Sequence, residues 1–166
     1  MTDAQIYYYR VKARDAALNE SGWSNVESST QDDTAPASSV DALAAYQSTL
    51  TFNVPYTASD ATSGLASVEL FFQVDGGGYS SYGSFTSSPI SFTASGDGLY
   101  EFYTVATDNV GNVEAAPGTA DASTDVDTGA PNAPTLTAEP TYTVGTSNTV
   151  SWSDESGSGA TAYYAE

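Results

Sequence analysis

Apolar residues fall at every second position in short runs across the middle of the chain, and each run stops at a cluster of Gly, Ser, Asp or Pro. A period of two predicts half-buried strands, and helix periodicity is nearly missing. Leu50, Phe52, Val54 and Tyr56 alternate with mostly polar neighbours up to the loop at 59–64. Val68, Leu70, Phe72 and Val74 follow, up to Asp75-Gly76-Gly77-Gly78, whose glycines permit the positive φ of a tight turn. A short strand is expected around Tyr79 to Tyr82. Ile90 and Phe92 make the next, with Pro89 at its edge. Tyr100, Phe102, Thr104 and Ala106 make a strong one, and Ala120, Ala122, Thr124 and Val126 a weak one. Each large side chain fully buried on the inward phase contributes about 2 kcal/mol, which must offset backbone entropy.

The strongest of these patterns occurs twice. Tyr7, Tyr9, Val11, Ala13, Asp15 and Asn19 return as Tyr100, Phe102, Thr104, Ala106, Asp108 and Asn112, 93 positions later. Asp33-Thr34-Ala35-Pro36 similarly returns as Asp127-Thr128-Gly129-Ala130-Pro131. A period of about 95 residues is too long for a solenoid and close to the roughly 100 residues of one sandwich domain. The expectation is an all-β Greek-key β-sandwich array read out of phase. Residues 1–33 are the tail of one domain, 34–127 a complete domain and 128–166 the head of a third. In the flanks, Tyr7 to Ala13 and Trp23 to Ser28 read as a terminal strand pair. Tyr142 to Val144, Val150 to Trp152 and Ala160 to Glu166 read as three opening strands, with Trp152 where Tyr56 sits in the complete unit.

The run Tyr7-Tyr8-Tyr9-Arg10-Val11-Lys12-Ala13-Arg14-Asp15, followed by Asn19-Glu20-Ser21-Gly22-Trp23-Ser24, resembles the last two strands of a bacterial fibronectin type III domain. Thr149-Val150-Ser151-Trp152-Ser153 resembles its second strand. The middle unit, with Ser63-Gly64-Leu65-Ala66-Ser67-Val68 and Ala106-Thr107-Asp108-Asn109-Val110-Gly111-Asn112, is similar to bacterial Ig-like repeats of large secreted or surface-anchored proteins. The resemblance implies one Ig-like domain between two partial fibronectin III-like domains, in a spacer or an adhesive module, and specifies no activity. Leu18 stands where the sister loop has Gly111, and a different turn is expected there.

Charge narrows the partners. The chain carries 21 acidic and 3 basic residues, a net charge of -18, which disfavours nucleic acid and anionic membranes. So few cations leave water, metal ions or salt to balance the carboxylates, as on an extracellular surface. No apolar run is long enough to span a bilayer, and Met1 precedes polar residues, unlike a signal sequence. Cysteine and histidine are both absent, so there is no disulfide, thiolate ligand, imidazole ligand or imidazole base. With no base beside any Ser or Thr, and paired carboxylates at loop ends, an enzyme is not expected.

The remaining chemistry is acidic. Asp33, Asp60, Asp108, Asn109 and Asn112 should gather at the pole facing the preceding domain, and Asp127 with Asp154 and Glu155 at the opposite junction. Oxygen ligands from several loops suit Ca²⁺, although Asx turns account for the same residue types. The outward stripe Arg10, Lys12 and Arg14 is either a dock for anionic glycans or, on the plainer reading, paired with carboxylates of adjacent strands, Glu166 among them. Glycan binding through exposed Tyr is the alternative to a spacer role. Head-to-tail association through the two partial domains is a further expectation.

Overall fold

The computed structural model describes residues 2–137 and the strand Trp152–Ser153. Strand pairing divides the described residues into three groups. In the first, β1 (Ile6–Tyr9) and β2 (Glu27–Thr30) form an antiparallel pair.

The second group runs from residue 37 to 126. It contains β3 (Ala37–Val40), β4 (Tyr46–Gln47), β5 (Thr51–Val54), β6 (Tyr56–Ser59), β7 (Leu65–Val74), β8 (Ser80–Phe85), β9 (Ile90–Thr93), β10 (Gly98–Asp108) and β11 (Ala122–Val126). Five of them form one sheet in the order β4-β11-β10-β7-β8, antiparallel except where β4 runs parallel to β11. The opposing layer holds the pairs β3-β6 and β5-β9, with β5 and β6 separated at Pro55. The third group is the short pair β12 (Thr135–Leu136) and β13 (Trp152–Ser153). The architecture is all-β and sandwich-like, with no helix among the described residues.

Alternation in sequence becomes alternation in burial. Tyr100, Phe102, Thr104, Ala106 and Asp108 of β10 are all buried, while the residues between them are half-buried on the outer face. Phe52 and Val54 of β5 and Ile90 and Phe92 of β9 face them from the other layer. Phe92 sits at the centre, with ring centroids 4.9 Å from Phe102, 5.2 Å from Phe72, 5.4 Å from Phe52 and 4.6 Å from Tyr82. Tyr100 is fully buried, and its hydroxyl is tied to the preceding turn. It accepts from the amides of Ser95 and Gly96 and donates to the Gly96 carbonyl at 2.9 Å. Tyr7 repeats this bond, accepting from the Thr2 amide.

Two carboxylates complete the sheet where β11 has left β10. Glu114 accepts the amides of Ser38 in β3 and Ala106 in β10, at 2.8 and 2.9 Å. Asp121 accepts those of Val40 and Thr104, at 3.0 and 3.3 Å. They stand in for strand carbonyls at an interior edge, where unpaired amides would be costly. In the first group Ser21 and Ser24 do the same for the amides of Ala13 and Val11.

Several expectations shift. β3 and β4 lack an apolar alternation, and sequence reasoning did not place them. The opening strand expected at Tyr142–Val144 lies outside the described residues, as do Val150 and Ala160–Glu166; Trp152–Ser153 pairs with Thr135–Leu136. The match of Trp152 to Tyr56 holds in register, since Leu136 pairs with Trp152 as Val40 pairs with Tyr56. Leu18 does not change its turn. It takes φ 72° where Gly111 has 98°, because the surrounding hydrogen bonds dictate the same loop. A left-handed Leu costs about 1–2 kcal/mol, which the loop must offset. The basic stripe pairs at short range: Lys12 and Arg14 each bond Glu20 at 3.0 Å, and Arg10 and Lys12 lie over the Trp23 ring.

Candidate functional site at the acidic pole

The inward phase of β10 ends on a carboxylate, and this fact builds the pole. Asp108 continues the line of Tyr100 to Ala106 and is therefore buried at the rim of the core. Its Oδ1 accepts the amides of Val110, Gly111 and Asn112 at 3.0, 2.7 and 2.8 Å, and its Oδ2 accepts Asn112 Nδ2 at 2.7 Å. Burial pushes this carboxyl up, but the bonds from the Asn112 side chain and the loop amides outweigh it. The net effect holds Asp108 below the usual carboxylate range.

Two further carboxylates converge on it. Asp60, in the loop between β6 and β7, takes the amides of Thr62 and Gly64 on Oδ2, leaving Oδ1 available. Asp32, buried in the segment between β2 and β3, accepts Thr34 N on Oδ1 and Ser63 N on Oδ2. One oxygen from each of Asp32, Asp60 and Asp108 lies within 4.8 Å of the other two. Two ligands on opposite sides of a Ca²⁺ are separated by about 4.6–5.2 Å, so a shared hard cation fits this spacing. Ionised and unbridged, the three charges repel one another.

The other expected residues have separate duties. Asn112 Nδ2 also reaches the carbonyls of Asp32 and Thr34, at 3.3 and 3.4 Å, tying the connecting segment to the pole. Asn109 donates through Nδ2 to the Ser63 carbonyl at 2.8 Å. The connecting segment contributes Asp32 to the cluster, one residue before the expected Asp33. Asp33 instead gives its amide to Asp3 at 3.0 Å. Asp127 lies at the opposite end of the sheet, beyond Val126, which pairs with Gly98 at the start of β10. Its Oδ1 accepts Gly129 N at 2.9 Å, as Asp32 accepts Thr34 N. Asp127 is therefore the counterpart of Asp32. Each stands four residues before a proline, Pro131 and Pro36, and counting back from the prolines would have found the pair. Asp154 and Glu155 lie outside the described residues.

The loop at Asp15 is bonded like the loop at Asp108. Asp15 accepts the amides of Ala17 and Asn19 and the Asn19 side chain, in the same loop that Asp108 organises; these bonds, the Asn19 side chain first, lower its pKa. At each connecting segment an aspartate accepts the amide of the residue that follows Asp32 or Asp127. Asp3 accepts from Asp33 N and Thr34 Oγ1, which holds its carboxyl below the ordinary range. Asp97 accepts from Thr128 N at 3.1 Å and Thr128 Oγ1 at 2.9 Å. Comparison with known proteins finds no matching family model, curated protein or solved structure.

Proposed function

We propose that this chain is a non-catalytic structural module from a tandem array on an extracellular or secreted protein. Residues 34–127 are one Ig-like Greek-key sandwich, flanked by the end of a fibronectin III-like domain at 1–33 and the start of another at 128–166. The observation that carries this reading is the clasp made twice, Asp3 to the Asp33 amide and Asp97 to the Thr128 amide, at equivalent points of the repeat. A linker bonded to the unit before it, and through Asp32 and Asn112 to the unit after it, fixes the angle between successive units. That is what a spacer requires. The Tyr100 corner supports the Greek-key assignment, since a buried Tyr at the start of this strand bonding back to its own corner is a hallmark of such sandwiches.

The ring group on the outer face of β7 and β10 does not favour glycan binding. Phe71 and Tyr103 stack on each other at 4.9 Å, and Tyr79 packs edge-on against Tyr103, so these rings do not form one coplanar platform. The spacer reading predicts that residues 32–128, taken alone, unfold in a single cooperative transition. A broad, non-cooperative melt would refute the assignment of a complete domain to this stretch.

The convergence of Asp32, Asp60 and Asp108 favours a second element of the same reading, in which Ca²⁺ occupies the pole and stiffens the junction. Affinity in the weak range of extracellular modules, on the order of 10⁻⁴ to 10⁻³ M, is expected. Calcium at several millimolar should then raise Tm more than NaCl of equal ionic strength, and Asp60→Asn should abolish the difference. Equal shifts from the two salts would reduce the effect to screening.

A further inference from the structure

We propose that the outer face of β7 and β10 docks an extended, arginine-bearing segment of another protein, in which two basic side chains four positions apart flank an apolar one. The proposal goes beyond the spacer reading and does not depend on it.

The register of the two strands builds this face. Glu101, Tyr103 and Val105 of β10 stand opposite Gln73, Phe71 and Glu69 of β7. All six are half-buried on the outside, while Leu70, Phe102 and Thr104 between them are buried in the core. The Phe71 and Tyr103 rings stack at the centre with centroids 4.9 Å apart, and Tyr79 extends the ring group at 4.6 Å from Tyr103. The two glutamates lie diagonally across the ring pair, one on either side. Four residues separate their positions along the strands, which is roughly 13 Å.

Neither glutamate has a counter-charge. Glu101 accepts Gln73 Nε2 at 2.7 Å and Glu69 accepts the Ser81 hydroxyl, so each is held by a neutral donor on one oxygen. The three cations of the chain all lie at positions 10–14, where Glu20 and Trp23 engage them. Compensation of these two charges therefore comes from outside the chain. The separation of the two carboxylates is too wide for one shared ion. Burial first, and then neighbours that include Glu101 and Asp121, push the Tyr79 hydroxyl pKa up, so the negative field extends over the ring group.

This placement is not a by-product of overall acidity. The outer face of the opposing pair β5-β9 presents Thr51, Asn53, Ser91 and Thr93 and carries no charge. Carboxylates and rings are together on one side of the sandwich only.

Spacing identifies the occupant. An extended chain sends every second side chain to one side at about 6.6 Å intervals, which is the repeat that separates each glutamate from the ring pair. A segment Arg-x-Leu-x-Arg laid along β7 and β10 sets its leucine against the rings and one arginine at each glutamate. The planar guanidinium bonds a carboxylate through its fork and packs its flat face on neighbouring rings, which an ammonium does not do.

The test is amide chemical-shift mapping by NMR on the full chain, with an acetylated and amidated peptide Arg-Gly-Leu-Gly-Arg as probe. At low salt the shifts should concentrate on residues 69–73, 79 and 101–105. Citrulline in place of both arginines, or arginines only two positions apart in Gly-Arg-Leu-Arg-Gly, should weaken binding. Glu69→Gln and Glu101→Gln should each weaken it roughly threefold and together roughly tenfold. Asp41→Asn removes the same charge from the opposing layer and should leave binding unchanged. Unaltered resonances away from the substituted residues show that each variant is folded. No concentrated shifts at up to about 10 mM peptide, equal binding of the citrulline or close-spaced peptide, or an equal loss in Asp41→Asn would each overturn the proposal.

Discussion

Replacing Phe92 with Ala should destabilise the 37–126 group by about 3–5 kcal/mol, the range for emptying a buried phenylalanine site. Phe92 is fully buried and touches the rings of Phe52, Phe72, Tyr82, Tyr100 and Phe102 from both layers. The surrounding rings come from several strands of both layers, so the void closes only in part. The loss is a large share of the 5–15 kcal/mol typical of a domain, and Tm should fall by roughly 15–30 °C. Urea unfolding should show a lower midpoint at an unchanged slope. A loss under about 1 kcal/mol would mean that the layers are not packed around this ring.

That core was legible in the sequence because the alternation that places Phe92, Phe102 and Tyr100 inward is strict and apolar. β3 was not. Ala37-Ser38-Ser39-Val40 carries almost no apolar signal, since its position is set by Glu114 and Asp121, some eighty residues away, and not by its own side chains. At the acidic pole, Asp60 was readable as a loop residue at a strand end, and Asp108 and Asn112 as parts of a repeated motif. Asp32 was misplaced by one residue, because the Asp-Thr pair is the more visible repeat. In the structure that pair bonds Asp3, while the aspartate before it serves the pole. Likewise, Leu18 argues locally against a left-handed turn, yet a shared hydrogen-bond frame overrides side-chain preference.

The two carboxylates between β3 and β10 should respond differently to removal of their charge. Glu114 uses both oxygens: Oε1 accepts Ser38 N, and Oε2 accepts Ala106 N and the Ser38 hydroxyl. Glu114→Gln therefore points an NH₂ group at an amide or hydroxyl whichever way it is turned. One donor is left unpaired beside the fully buried Ala106, and the expected cost is about 2–3 kcal/mol. Asp121 receives both Val40 N and Thr104 N on Oδ2 alone. Asp121→Asn can present its carbonyl oxygen at that one position and turn its NH₂ away, so its cost should stay below about 1 kcal/mol. Asp121→Ala, which leaves both amides bare, should cost about 2–4 kcal/mol. Chemical denaturation of the three variants decides the matter by rank. If Glu114→Gln proved as mild as Asp121→Asn, the two-oxygen acceptor geometry of Glu114 would not be what holds β3 to the sheet, and if both were equally costly, charge would be.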